Sequence, residues 1–309
     1  MTTALITHPA CLEHVMPFGH PESPDRLRAV LAALDAPGFS PLLRVQAPLA
    51  TMEQIVLAHP AGFAEAMLAR IPQAGFFFID GDTPISPGSA QAALRAAGAV
   101  VHAVDMVMQG TVQNAFCAVR PPGHHAESDR AMGFCLFNNV AVGALWARKH
   151  WKCKRLAVID FDVHHGNGTQ EIFQRDPDLF YASTHQAPFY PGTGAMPETG
   201  VAGNVVNVSL QAGAGSDAFK AAMNGRILPA LDAFHPDLIL ISAGFDAHMQ
   251  DPLANLWLEE EDFSWATQQI MAIAGKHCAG RVVSALEGGY DLTALASSVQ
   301  AHVRTLMGG

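Results

Sequence analysis

Leu156-Ala157-Val158-Ile159-Asp160-Phe161-Asp162-Val163-His164-His165-Gly166-Asn167-Gly168 is the stretch from which the fold can be read. Its first four residues form an unbroken apolar run, the pattern of a strand buried on both faces of a parallel sheet. Alternate side chains of an extended chain share a face, so Asp160, Asp162 and His164 are expected to project together from the strand's carboxyl end. Two acids and a histidine on one side are costly to bury unless a cation balances them. The glycines then let the chain turn sharply. The stretch predicts a metal site at the top of a parallel sheet.

Outward from it, strand and helix patterns alternate. Towards the N-terminus, Asn114–Val119 reads as a strand running into the rigid loop Arg120-Pro121-Pro122-Gly123-His124-His125. Gly133-Phe134-Cys135-Leu136-Phe137-Asn138-Asn139 then leads to a helix through Val140–Lys149. Ser86-Pro87 opens a long Ala-rich helix that Gly110 would end, and Ser23-Pro24 opens another with Ser23 as its cap. Between these two lies the loop Gly81-Asp82-Thr83-Pro84, with an exposed carboxylate, and the N-terminal residues read as a first strand. Towards the C-terminus, strands are expected at Leu179–Ser183, Val205–Leu210, Leu238–Ile241 and Val282–Leu286. Helices are expected at Asp217–Phe234, kinked at Pro229, at Phe263–His277, and after Asp291. The chain lacks internal repeats and linkers. It reads as one α/β domain over residues 1–309, a mainly parallel sheet flanked by helices.

The polar clusters recur just after strands: His124-His125, Asp162 with His164, Tyr190, Asp246 and Tyr290. Open α/β sheets bind ligands outside the carboxyl ends of their strands, so these distant loops should converge on one pocket. Asp162, His164 and Asp246 would make a site of two carboxylates and one imidazole. That set suits Zn²⁺ as a hydrolytic Lewis acid, and its oxygen content also admits Fe²⁺ or Co²⁺. The paired His124 and His125 suit proton transfer, with Asp160 and Asn167 as partners that fix their tautomers. Tyr290, after two glycines, is placed to stabilise an oxyanion. Phe134 and Tyr190 would wall a narrow apolar slot for a methylene chain.

Composition bounds the partners. Of 309 residues half are hydrophobic and 15% charged, enough for one large core, and no apolar stretch approaches membrane-spanning length. A net charge of −10 with scattered Lys and Arg offers nucleic acid no basic face. The N-terminus lacks the features of a signal peptide. Five cysteines, odd in number and without a C-x-x-C, argue against a disulfide framework and for a reducing cytoplasm.

R-P-P-G-H-H, G-F-C-L-F-N-N, D-F-D-V-H-H-G-N-G-T-Q, P-G-T-G, S-A-G-F-D-A and E-G-G-Y-D, in that order, resemble the zinc-dependent histone deacetylase superfamily. The likeness is nearest to class II deacetylases and bacterial histone deacetylase-like amidohydrolases, and runs from His20 to Asp291. It implies an arginase-like fold and hydrolysis of an acetyl amide to acetate and free amine. By motif, Asp162, His164 and Asp246 resemble the zinc ligands, His124 and His125 the acid–base pair, and Tyr290 the carbonyl-polarising tyrosine. Asp160 and Asn167 resemble the residues that orient the histidines, with Asn in the second place as class II enzymes have it. Gly133, Phe134 and Tyr190 match the substrate slot, where the family often has Phe in place of Tyr190. Arg26 matches an arginine of an internal channel, and Asp82 a rim aspartate. The resemblance also implies a structural potassium site formed by Asp160, Asp162, His164, Ser183 and Thr184.

Leu253 falls where polyamine-preferring relatives place a gatekeeper glutamate. Acetyl-lysine or another acyl amide is therefore favoured over acetylpolyamines as substrate, although a small acetylated amine stays open as an alternative. A catalytically silent binding protein on the same fold is the alternative of another class, because fold alone does not establish activity. A homo-oligomer is compatible with the sequence.

Overall fold

Ten strands organise the computed structural model, which describes residues 2–308. They are β1 (Thr3–Thr7), β2 (Leu43–Gln46), β3 (Phe77–Phe78), β4 (Pro84–Ile85), β5 (Asn114–Cys117), β6 (Leu156–Asp160), β7 (Leu179–Gln186), β8 (Val205–Leu210), β9 (Leu238–Ala243) and β10 (Val282–Leu286). Eight of them form one sheet in the order β2-β1-β5-β10-β9-β6-β7-β8, while β3 and β4 make a separate antiparallel hairpin. Every pairing in the large sheet is parallel. Its four middle strands are buried at every position, as both faces are covered by helices. The helix Leu292–Leu306 packs on Glu260–His277 and Pro24–Leu34, and the helix Ser89–Met108 packs on Asn139–Trp151.

The strand order explains the position of the site. From β5 the chain skips two places to lay down β6, continues outward through β7 and β8, and returns to fill the gap with β9 and β10. The loops after β5, β10, β9 and β6 therefore leave four adjacent strands at the same end of the sheet. Those loops carry His124-His125, Tyr290, Asp246, and Asp162 with His164.

Several local expectations need revision. Ser23 does occupy the N-cap position, but its hydroxyl makes no capping bond; the turn is closed by Arg26 N–H donating to the Ser23 carbonyl at 3.1 Å. The segment Asp217–Phe234 is two helices, Ser216–Ala222 and Leu228–Phe234, joined by a π-helical turn at Met223–Ile227. Widening that turn accommodates Pro229, which has no N–H to give and would crowd the preceding carbonyls. The Ala-rich helix ends as expected: Gly110 takes φ +73°, and its N–H and that of Thr111 close on the carbonyls of Val107 and Met106. All five cysteines are buried and free.

Candidate active site

The loop after β6 brings its acid and histidine together by turning, and the extended alternation stops at Asp160. Asp162 N–H donates to Asp160 Oδ1 at 3.1 Å, and His164 N–H donates to Asp162 Oδ1 at 2.9 Å. Asp160 consequently stays apart from the other two. Its Oδ2 accepts from His124 Nδ1 at 3.0 Å and from the Tyr181 hydroxyl at 3.0 Å. The expected common projection of all three side chains is therefore replaced by a split, with Asp160 bonded to His124, Asp162 bonded to His164, and His164 alone of the three lining the pocket.

Asp246 completes the second group from the loop after β9. One oxygen or nitrogen from each of Asp162, His164 and Asp246 lies within 4.8 Å of the others. His164 Nδ1 is 3.1 Å from both Asp162 Oδ1 and Asp246 Oδ2. The carboxylates are fully buried, and their spare oxygens accept backbone N–H groups: Val163 on Asp246 at 2.9 Å and Gly288 on Asp162 at 2.8 Å. Gly244 and Gly288 leave room for this crowding, since a Cβ at either would overlap an Asp162 or Asp246 carboxylate oxygen. Burial should strip charge from His164, yet the two flanking carboxylates push its pKa up to about 10. Burial and the charge of Asp162 raise that of Asp246. The arrangement draws positive charge to one point, and its O, O, N donor set fits a divalent cation.

The two histidines of the Pro-Pro-Gly loop have opposite surroundings. His124 donates to a carboxylate, while His125 Nδ1 lies 2.8 Å from the amide oxygen of Asn167. Burial disfavours the cation at both. At His124 the charges of Asp162 and Asp160 outweigh it and lift the pKa well above the usual value. At His125 the neighbouring His124 and His164 add to burial and hold it well below. The rings lie 4.0 Å apart, one poised as a cation and the other as a neutral base.

Above them is a cavity of about 240 Å³ lined by Asp82, Gly133, Phe134, His125, His164, Tyr190, Leu253 and Tyr290, among others. Every residue expected in the substrate slot therefore borders one hollow. Gly133 and Phe134 both take left-handed backbone, φ +56° and +68°, which arches the chain over the His125 ring. Phe134 faces the Tyr290 ring edge-on at 6.1 Å, and Tyr190 meets His125 at 5.2 Å. Tyr290 is held from behind by Asp251, whose carboxylate accepts its N–H at 2.7 Å.

Arg26 lies outside the cavity wall. It is fully buried under the Tyr290 ring, 4.8 Å from its centroid, and donates to the carbonyls of Gly289 at 2.6 Å and Glu287 at 2.5 Å. Ser183 and Thr184 are buried on β7, where Ser183 pairs in register with Asp160; its hydroxyl lies 3.0 Å from His185 Nδ1. Near Phe173, the carbonyls of Phe173, Asp176 and Leu179 converge on the Asn204 amide at 3.2, 3.0 and 2.8 Å.

Several contributors escaped the sequence reading. Glu22 is buried between Arg120 and Arg26, at 2.5 and 3.1 Å. Glu287 accepts from the backbone N–H groups of Gly123 at 2.6 Å and His124 at 3.2 Å. Phe189 stacks on His164 at 5.2 Å. Glu287 stands inside a quoted motif and Glu22 just before the first predicted helix, but only their distant partners reveal what they hold.

Fold and site together define an α/β protein with a cation-drawing cluster beside a closely spaced pair of histidines. Residues 20–306 match the histone deacetylase domain, and the chain belongs to that family. It is 41% identical to the histone deacetylase-like amidohydrolase of Pseudomonas aeruginosa over 278 residues, covering 88% of this chain and 73% of that protein. It is 36% identical to the type-2 histone deacetylase 2 of Dictyostelium discoideum over 99% of its own length, spanning 21% of that much longer protein. The crystal structure of the HDA15 HD domain superposes with a TM-score of 0.94 at 38% identity, covering 99% of this chain and 88% of that one. The eight-stranded parallel sheet is thus the arginase-like deacetylase fold, and the chain is a deacetylase-type hydrolase.

Proposed function

We propose that this chain is a zinc-dependent amidohydrolase that removes acetyl groups from acetyl-lysine-like amides, releasing acetate and a free amine. The observation that carries this reading is the meeting of Asp162, His164 and Asp246 within 4.8 Å beside a cavity that His125 and Tyr290 also line. Zn²⁺ held by those three residues would supply Lewis-acid polarisation of the acyl oxygen and acidify a water.

The remaining work belongs to the chain. His125, neutral and with Nδ1 engaged by Asn167, takes the water's proton at Nε2. The Tyr290 phenol donates to the oxyanion as it develops. A protonated histidine of the pair then hands a proton to the leaving amine, and the Asp160 and Asp162 charges keep His124 cationic for that purpose. Phe134 and Tyr190 wall the slot for the methylene chain, Gly133 leaves His125 room, and Asp82 stands at the rim for substrate backbone.

Leu253 supports an acyl-lysine over a polyamine, because an apolar side chain stands in the cavity wall where a carboxylate would read a distant ammonium. We also assign a potassium ion to the oxygens of Asp160, Asp162, His164, Ser183 and Thr184, a reading supported by the burial of the four other than His164 and by the register of Ser183 with Asp160. Residues 1–309 act as one catalytic domain in the cytoplasm. Among the described residues no helix is long and apolar enough to cross a membrane.

The test of substrate class is kcat/KM of zinc-loaded protein on an acetyl-lysine peptide and on acetylputrescine. Preference for the peptide is expected. Preference for acetylputrescine would move the chain to polyamine substrates and overturn the reading of Leu253.

A further inference from the structure

We infer that Glu127 is a positioning residue that sets the tautomer of His125 by acting through Asn167; this rests on the proposed role of His125. Asn167 Nδ2 lies 2.8 Å from Glu127 Oε1, and Asn167 Oδ1 lies 2.8 Å from His125 Nδ1. An ionised carboxylate carries no hydrogen, so the end of the amide that faces Glu127 must be the NH₂. The amide oxygen therefore faces His125. That oxygen has no hydrogen either, so His125 must carry its own on Nδ1. The lone pair of the neutral ring is left on Nε2, the nitrogen that Asn167 does not engage. Glu127 thus dictates, two hydrogen bonds away, which nitrogen of His125 is the base.

The two histidines are served in different ways. His124 meets its carboxylate, Asp160, directly. His125 meets a carboxylate only through a neutral amide, which orients the ring without placing a full negative charge against it. Two weaker acceptors also face Asn167 Nδ2, the His125 carbonyl and Met132 Sδ, both at 3.4 Å. Glu127 makes the shortest of the three contacts.

Glu127 is itself held in place. Its N–H donates to the Arg130 carbonyl at 2.9 Å, and the next residue, Ser128, donates its N–H to Glu171 Oε2 at 3.0 Å. Asn167 and Glu171 stand four apart on the helix Asn167–Phe173, so one helical face grips the first two residues of this short turn. Asn138 adds a third tie, donating to the Ala126 carbonyl at 3.2 Å.

The experiment pairs Glu127→Ala with Glu127→Gln in the metal-loaded protein. Glu127→Ala should lower kcat about tenfold with KM nearly unchanged, the usual scale for removing an outer partner of a site histidine. Glu127→Gln keeps an acceptor and should recover most of the rate. The decisive readout needs no substrate. In ¹⁵N-histidine NMR, with His125 identified by the loss of its signals in His125→Ala, the ring should be Nδ1–H in the wild type and a mixture in Glu127→Ala. Unchanged His125 nitrogen shifts in Glu127→Ala would overturn the inference whatever happens to the rate, and a wild-type kcat in that variant would do the same.

Discussion

In the proposed mechanism Tyr290 supplies the oxyanion donor, so its hydroxyl is the atom to remove first. Its ring is fixed between the Arg26 guanidinium and Phe134, so removing the hydroxyl leaves the ring supported on both sides. Tyr290→Phe should therefore retain fold and metal content while kcat falls about 10²–10³-fold, the usual consequence of losing an oxyanion donor. Steady-state kinetics with metal analysis checks this, and unchanged turnover would remove Tyr290 from the mechanism. Glu22 makes a different prediction. Burial alone would raise its pKa, but the Arg120 charge, with His14 and Arg26 behind it, brings it down to about 2. A carboxyl whose pKa is lower in the folded chain contributes stability in full above its unfolded value of about 4.5, and loses it as pH falls towards 2. Glu22→Gln should flatten this acid limb and lower stability at neutral pH by about 3–5 kcal/mol, because both arginines lose a buried counter-charge. Denaturant midpoints measured at several pH values test both parts. The consequence reaches the site, since Arg120 begins the histidine loop and Arg26 holds the segment before Tyr290.

At the scale of elements, the chemistry depends on how four adjacent strands end. The backbone at Gly244 and Gly288 passes against the Asp162 and Asp246 carboxylates, so a methyl group there competes with these side chains for space. Gly288→Ala should leave the far-ultraviolet circular dichroism unchanged and weaken zinc binding by about 10–100-fold, as expected when the support of a ligand is disturbed. Wild-type affinity in a competition titration would show that the loop yields without cost. These strand ends were legible in the sequence because buried parallel strands are uninterrupted apolar runs and the acids, histidines and tyrosine follow them directly. The edge strand Leu43–Gln46 is mostly exposed, and the hairpin strands are two residues each, so neither carries a pattern to read. The residue types of the candidate site could be picked out for the same reason that their supports could not. Asp162, His164 and Asp246 announce themselves by residue type. Glu22, Glu287 and Glu127 look like ordinary acids until the fold brings Arg120, the His124 backbone and Asn167 against them.

Across the whole molecule, the sheet gathers its titratable groups at one end and leaves apolar side chains to fill the rest. Central strands buried on both faces give the loops a rigid base, and the strand order brings sequence-distant loops together without any one of them being long. Two buried carboxylates with one histidine between them are a poor way to stabilise a fold on their own, and the proposed cation would account for their meeting beside the pocket. The most direct test of that claim measures bound zinc and acetate release from an acetyl-lysine peptide on the same sample, before chelation, after it, and after zinc is restored. The account predicts about one zinc per chain, loss of acetate release with the metal, and recovery on adding it back. Undiminished acetate release from the metal-free protein would contradict it, as would a fully zinc-loaded protein that releases none.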